Sequence, residues 1–250
     1  WAAPAVAVET APAGAMIVEA APADAVHTEA GAVPVWANRM ASKRSFEEAH
    51  VDAFEDYERA HSLLVKGGSL VFDTETCGLR KSVIEVAWVL ADKRGEELCS
   101  HSELWHPPPD ENIDPGAFAV HGISESKLLR EGTCAVPGLK QFVRLFGAAV
   151  KAGVKIVCHN AAFDVARMNH TLRKHDLNDT LLLKDTFCTM QRTKRRCNLY
   201  QRNGRLKSPR NDELFEKLYG RKPTGQLHRA LDDCRVTLAS YTRALELKWF

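Results

Sequence analysis

Ser69-Leu70-Val71-Phe72-Asp73-Thr74-Glu75 carries an apolar strand straight into two carboxylates. The turn Lys66-Gly67-Gly68 delivers the chain into it, and the strand is expected over about 69–74. Asp73 and Glu75 are two residues apart, so on a strand both side chains leave the same face. Two carboxylates held that close repel and raise each other's pKa unless a cation lies between them. Hard oxygen donors of this kind suit magnesium or manganese. Taken alone, the pair fits equally well a solvated strand end with two ordinary acids.

Working outward, residues 83–91 (Val-Ile-Glu-Val-Ala-Trp-Val-Leu-Ala) read as a second strand. Ile84, Val86, Trp88 and Leu90 share one of its faces at period two. Glu85 reads as a surface or sheet-edge charge. Asp92-Lys93-Arg94-Gly95 is a turn, and a third strand runs from Glu97 to His106, closed by Pro107-Pro108-Pro109. Upstream, Ser45 to Leu64 reads as a short helix. Downstream, Pro137 to Val150 is an amphipathic helix with Leu139, Phe142, Val143, Phe146 and Val150 on its stripe. A short buried strand follows at 154–158, then a helix over about 161–174. A last helix over about 230–245 turns Ala230, Cys234, Leu238, Tyr241 and Leu245 inward. A meander of strands followed by alternating helix and strand implies a mixed sheet flanked by helices.

Two further acidic stations stand far from the first. Asp164 lies in the first turn of its helix, where a carboxylate also complements the helix dipole. His159-Asn160, closing the preceding strand, points to a site there. Asp233 follows His228 by five residues, so both can serve one site only if His228 sits on the loop before the helix. Gly225 makes such a loop reasonable. The competing arrangement pairs His228 with Asp232 on a helix that starts earlier. Four carboxylates from three segments with a histidine beside the last are what a two-metal phosphodiester-cleaving site needs.

In order, spacing and local context these stations resemble the DEDD superfamily of 3′→5′ exonucleases, in the branch of polymerase proofreading subunits and ribonuclease T-like enzymes. The resemblance covers Leu70 to about Tyr241. It rests on Asp73-Thr-Glu-Thr-Cys-Gly-Leu79, Val120-His-Gly-Ile-Ser124, His159-Asn-Ala-Ala-Phe-Asp164, Lys184-Asp-Thr186 and His228-Arg-Ala-Leu-Asp-Asp233. A histidine five before the last aspartate, rather than a tyrosine four before it, places the chain in the histidine branch. Cys77 departs from the family, where close relatives often have Thr or Ser. The segment between Asp185 and Ser208 is longer and more basic than the family pattern suggests.

The resemblance implies a ribonuclease H-like fold, a mixed five-stranded sheet flanked by helices, with the fifth strand near Leu181–Leu183. It implies two divalent cations, Mg2+ or Mn2+. Asp73, Glu75 and Asp233 would hold one ion directly, Asp73 and the substrate phosphate the other, and Asp164 would act through water. His228 would take the proton of the attacking water, and histidines ordinarily titrate near pH ~6.5, close to neutrality. Thr76, Gly78 and Leu79 would line the pocket for the terminal nucleotide, Gly78 by letting backbone approach the sugar and Leu79 as a wedge. Asn160 and His121 are weaker candidates for shaping that pocket. The implied partner is nucleic acid with a free 3′ end, DNA ahead of RNA. A polymerase or other replication or repair protein, and a second copy in a homodimer, are further candidate partners.

From Thr186 to Asn211 the chain has no acidic residue but carries Arg192, Lys194, Arg195, Arg196, Arg202, Arg205, Lys207 and Arg210. Asn203-Gly204 is a tight-hairpin signal, so 191–211 reads as a basic two-stranded flap. Arg195 and Arg196 would meet phosphates and Tyr200 would stack on a base; a solvated basic loop is the alternative.

Composition sets the outer bounds. With 45% hydrophobic and 26% charged residues and a net charge of +2, the 250-residue chain has a globular protein's profile, and no uninterrupted apolar stretch reaches membrane-spanning length. Seven cysteines without a Cys-x-x-Cys pair favour free thiols in a reducing compartment, cytoplasm or nucleus. Residues 1–44 form an Ala/Pro-rich stretch read as a disordered or extended arm, 45–68 a helical lead-in, and 69–250 the main domain. The arm has neither the basic start of a signal peptide nor the arginines of a transit peptide. The chain opens at Trp1, so an upstream piece, and any address on it, is expected to be missing. Competing functions are an exoribonuclease, a non-catalytic nucleic-acid-binding module, and an adaptor that docks a polymerase.

Overall fold

The computed structural model describes residues 44–224 and 227–250. The Ala/Pro-rich arm and Gly225 lie outside the described residues. At the centre is β1 (Gly67–Thr76), paired antiparallel with β2 (Val83–Asp92), which pairs antiparallel with β3 (Glu97–Leu104). On its other side β1 pairs in parallel with β4 (Lys155–Cys158), and β4 in parallel with β5 (Thr186–Cys188). The five-stranded order is β3-β2-β1-β4-β5. This is the mixed sheet expected.

Strand alternation divides the core into two unlike halves. Leu70 and Phe72 of β1, with Val86, Trp88 and Leu90 of β2, face a layer of large side chains. That layer comes from α1 (Arg44–Leu63), α4 (Ala135–Lys151) and α5 (Ala161–Lys174), including Tyr57, Leu139, Phe142 and Met168. Phe72 meets Phe142 edge-on at 5.1 Å between ring centroids. Val71 of β1 and Ala87, Val89 and Ala91 of β2 face the opposite way, onto α8 (Ala230–Glu246) through Ala230, Cys234 and Leu238. Small residues at 87 and 91 let this helix lie close, and Cys234 Sγ donates to the Ala87 carbonyl at 3.3 Å. Asp73 and Glu75 continue the parity of Val71, so they emerge on the α8 side.

The short helices α2 (Pro115–His121) and α3 (Glu125–Glu131) lie between β3 and α4 in the chain. After β5 come α6 (Thr189–Cys197), a small hairpin of β6 (Leu199–Tyr200) and β7 (Leu206–Lys207), and α7 (Asn211–Tyr219). The expected flap is therefore half helix and half hairpin, with Gly204 at φ +76° in the turn as Asn-Gly suggested.

Three expectations are corrected. The fifth strand is Thr186–Cys188, not Leu181–Leu183: both backbone groups of Leu181 are taken by the Asn169 side chain at 2.8 and 2.9 Å, and Leu183–Asp185 is a 3-10 turn. Val150 and Leu245 lie in the last turns of their helices, beyond the sheet, and are exposed. Glu85 is buried, paired with Arg229 rather than solvated.

Phe142→Ala removes a fully buried ring that contacts both Phe72 and Phe146. It should cost about 3–5 kcal/mol, read as a lowered urea midpoint with an unchanged m-value.

Candidate active site

Four elements meet at the C-terminal edge of the two central parallel strands. In open α/β sheets this edge, where neighbouring connections diverge, is where ligands bind. β1 supplies Asp73 and Glu75, both half-buried. α8 supplies Asp233 from its first turn. The carboxylate oxygens of these three lie within 4.8 Å of one another. Asp164 arrives by a different route. It sits in the first turn of α5, on the opposite face of the sheet, and reaches the edge beside Thr74. Thr74 points away from its acidic neighbours, and its Oγ1 donates to Asp164 Oδ1 at 2.9 Å. Asp164 lines the same cleft as the other three but is not part of their cluster.

Asp233 is held on several sides. Its Oδ2 accepts the backbone N–H of His228 at 2.7 Å, and its Oδ1 accepts Nδ2 of Asn211 at 3.2 Å. Asn211 also donates to the Asp233 carbonyl at 3.1 Å and accepts from Thr237 at 3.3 Å. His228 is on the loop before α8, as its spacing from Asp233 required, in a left-handed conformation with φ +67°. Its side chain is exposed at the cleft.

Crowding these acids has an electrostatic consequence. Burial first, then the charges of Asp164, Asp233 and Glu75, hold Asp73 well above the usual carboxylate range. Burial, then Asp233, Glu85 and Asp164, push Glu75 up to about 8. Burial raises Asp164 to about 7 against the opposing Thr74 hydrogen bond, and burial also raises Asp233. A cluster of hard oxygen donors that resists its own negative charge fits a divalent cation.

The cleft wall is built from His159, Asn160 and Phe163. Burial lowers His159 to about 4, so its ring is neutral. Nε2 then donates to the Pro209 carbonyl at 3.0 Å, and Nδ1 accepts from Thr189 Oγ1 at 3.0 Å. His159 is a structural pin, and what it pins are the two ends of the basic excursion. Within that excursion Lys207 pairs with Glu213 and Arg210 with Asp212 and Glu213. Lys194, Arg195, Arg196, Arg202 and Arg205 form no ion pair among the described residues. Tyr200 is exposed and donates to Asn198 Oδ1 at 2.8 Å.

The turn after Glu75 is braced from α2. His121 donates from Nε2 to the Thr76 carbonyl at 3.2 Å, and Thr76 Oγ1 donates to the Gly78 carbonyl at 2.9 Å. A Cβ at Gly78 would lie 2.0 Å from Asp114 Oδ2, so any larger residue there would displace the protein's own carboxylate. Leu79 stands 82% exposed beyond it. Sequence reasoning missed Thr74, Asn211, Phe163 and the Glu85–Arg229 pair. Only Glu85 left a signal, as a lone acid inside a wholly apolar strand.

A carboxylate cluster with an adjacent histidine at this edge of a mixed sheet defines a nuclease-class site. The exonuclease (RNase_T) family model matches residues 70–241, and the chain belongs to that family. It is 32% identical over 131 residues to DNA polymerase III subunit epsilon of Escherichia coli (strain K12), covering 48% of each chain. It is 30% identical over 123 residues to ribonuclease T of Shewanella denitrificans, covering 43% of this chain and 53% of that one. The chain thus spans about half the length of the curated relatives it matches. Among solved structures, exonuclease X in complex with 5′-overhanging duplex DNA aligns at TM-score 0.50 and 25% identity, covering 72% of this chain and 93% of that one. A DEDDh nuclease domain, that of 3′hExo bound to rAMP, shares the fold at TM-score 0.52 and 16% identity, over 71% and 90% of the two chains. The ribonuclease H-like expectation holds.

Because these acids bind protons more tightly in the folded chain than in the unfolded one, metal-free stability falls as pH rises through about 7 and 8. Bound cation relieves that loss. At a cation concentration about 100 times Kd, Mg2+ or Mn2+ should raise Tm by roughly 5–10 °C at pH 8. The gain at pH 6 should be clearly smaller. Thermal scans in EDTA and in each metal at both pH values check this; equal shifts would contradict it.

Proposed function

We propose that the chain is a divalent-metal-dependent 3′→5′ exonuclease acting on DNA, at single strands or frayed 3′ ends, and releasing nucleoside 5′-monophosphates. The observation that carries this reading is the joining of His228 to the carboxylate cluster through Asp233. Asp73, Glu75 and Asp233 would hold one cation, with a second shared between Asp73 and the scissile phosphate. Such ions supply Lewis acidity at the attacking water and the departing 3′ oxygen. Asp164, held by Thr74 at 2.9 Å, would act through water rather than directly. His228 accepts the proton of the attacking water from its exposed position at the cleft.

Thr76, Leu79 and Asn160 would contact the terminal nucleotide, with Leu79 supplying an apolar edge against the last base. Gly78 would support that pocket by admitting Asp114. Arg195 and Arg196 would grip phosphates upstream, and Tyr200 would offer a stacking surface. The likeness to ribonuclease T keeps RNA as the second substrate reading, and the likeness to an epsilon subunit makes a polymerase the favoured protein partner. A homodimer and a reducing compartment, cytoplasm or nucleus, complete the proposal; all seven cysteines are free.

The direct test is digestion of end-labelled single-stranded DNA, duplex DNA and RNA in Mg2+ or Mn2+, following which end shortens. Loss from the 5′ end, or cleavage that survives EDTA, overturns the reading. His228→Ala should lower kcat at least about a hundredfold, with cation and strand binding retained. Asp73→Ala should abolish metal-dependent cleavage.

Neutralising two cations of the basic excursion, Arg195→Gln with Arg196→Gln, should flatten the log–log salt dependence of single-strand binding by about 1.4, at roughly 0.7 for each phosphate no longer neutralised. An unchanged slope would assign this excursion to solvent.

A further inference from the structure

Among the described residues, Glu85 is the one buried acid beside the cluster that the proposed chemistry leaves unused. It lies on β2 directly across from Glu75 and is 1% exposed. Its carboxylate is already fully engaged. Arg229 donates from Nη2 to Oε1 at 2.6 Å and from Nε to both oxygens at 3.1 Å. The Ala230 N–H, at the start of α8, donates to Oε2 at 3.2 Å, and Ser102 Oγ approaches Oε1 at 3.4 Å. A carboxylate so neutralised and so saturated is a poor cation ligand. It is a good anchor.

What it anchors is the residue after His228. The His228 imidazole is exposed and makes no hydrogen bond among the described residues. The direction of its Cα–Cβ bond is set by its backbone, which is in the left-handed region that non-glycine residues rarely adopt. Such a conformation persists where flanking contacts over-determine it. Here there are two: the His228 N–H on Asp233 ahead, and the Arg229 fork on Glu85 behind. Both carboxylates meet the same short turn, one from α8 and one from the sheet.

We infer that Glu85 and Arg229 are a positioning pair that aims His228 at the attacking water. The inference rests on the base role proposed for His228. Glu85 touches neither the substrate nor the ions; it fixes the backbone from which the base projects. A planar two-point grip suits this purpose better than a lysine, whose single ammonium leaves the rotation free.

The test is a double-mutant cycle on the full chain, with kcat, KM and Mn2+ affinity measured on a labelled single strand. Glu85→Gln and Arg229→Lys should each lower kcat about tenfold or more, since misplacing a reacting group by about 1 Å can cost a hundredfold. KM and Mn2+ affinity should stay within about threefold. In a His228→Ala background the same substitutions should lower kcat by less than about twofold, because the group they aim is gone. Equal losses in both backgrounds, a loss confined to KM or Mn2+ affinity, or no loss at all would overturn the inference. If Glu85→Gln does not fold, Arg229→Lys, which leaves the Glu85–Ala230 contact in place, carries the same cycle. If the wild-type chain cleaves nothing, the functional reading fails, and amide exchange decides the pair separately. Glu85→Gln should speed exchange at His228 and Ala230 about tenfold or more, and Arg229→Lys in its place should do so at His228, whereas unchanged protection at His228 would overturn the hold on that residue.

Discussion

Carboxylates that are both buried and crowded are what the rest of this molecule must accommodate. Asp73 and Glu75 are forced onto one face by strand geometry, and α8 then brings Asp233 against them. Ionised at neutral pH these buried groups oppose folding, because the folded chain holds their protons more tightly than the unfolded one. The surrounding structure supplies what keeps them in place. Large side chains fill the face of the sheet away from the cluster, and small ones on the near face allow α8 its close approach. The site is an electrostatically unfavourable arrangement held by apolar packing and suited to a cation.

Much of this could be read from the chain, for reasons specific to each residue. The two-residue spacing of Asp73 and Glu75 fixed their common face without reference to any fold. The five-residue gap between His228 and Asp233 let both serve one site only with His228 on a loop, and of the two arrangements open to the sequence the loop is the one present. The hairpin at Asn203-Gly204 followed from the left-handed conformation that dipeptide favours. Other features had no local signature. The fifth strand was displaced because Asn169 takes both hydrogen-bonding groups of Leu181, a contact between residues twelve apart. Asn211 is one polar residue at a helix start until the fold sets it beside Asp233.

Glu85 and Gly78 show a different kind of gap. An acid in an apolar strand was legible as an anomaly, but an edge position and a buried pair both answer it. Only the return of the chain 144 residues later, at Arg229, decides between them. Gly78 was explained by a ligand when its neighbour is Asp114. In both cases the partner is protein and distant in sequence. The resemblance to proofreading subunits and ribonuclease T covered the family and fold, while these particular contacts had to come from coordinates.

The neutral ring of His159 holds Thr189 on one side and Pro209 on the other. The basic helix and hairpin therefore leave and rejoin the body at a single point on the cleft wall. Between those ends the segment is packed down as well, with Cys197 and Leu199 against Leu214, Leu218 and Ala244. The hairpin beyond that packing can change length and charge at the modest entropic cost of a longer loop, while the carboxylate cluster keeps its shape. Charge beside the cleft and the geometry of the acidic cluster are thereby separable traits in this architecture.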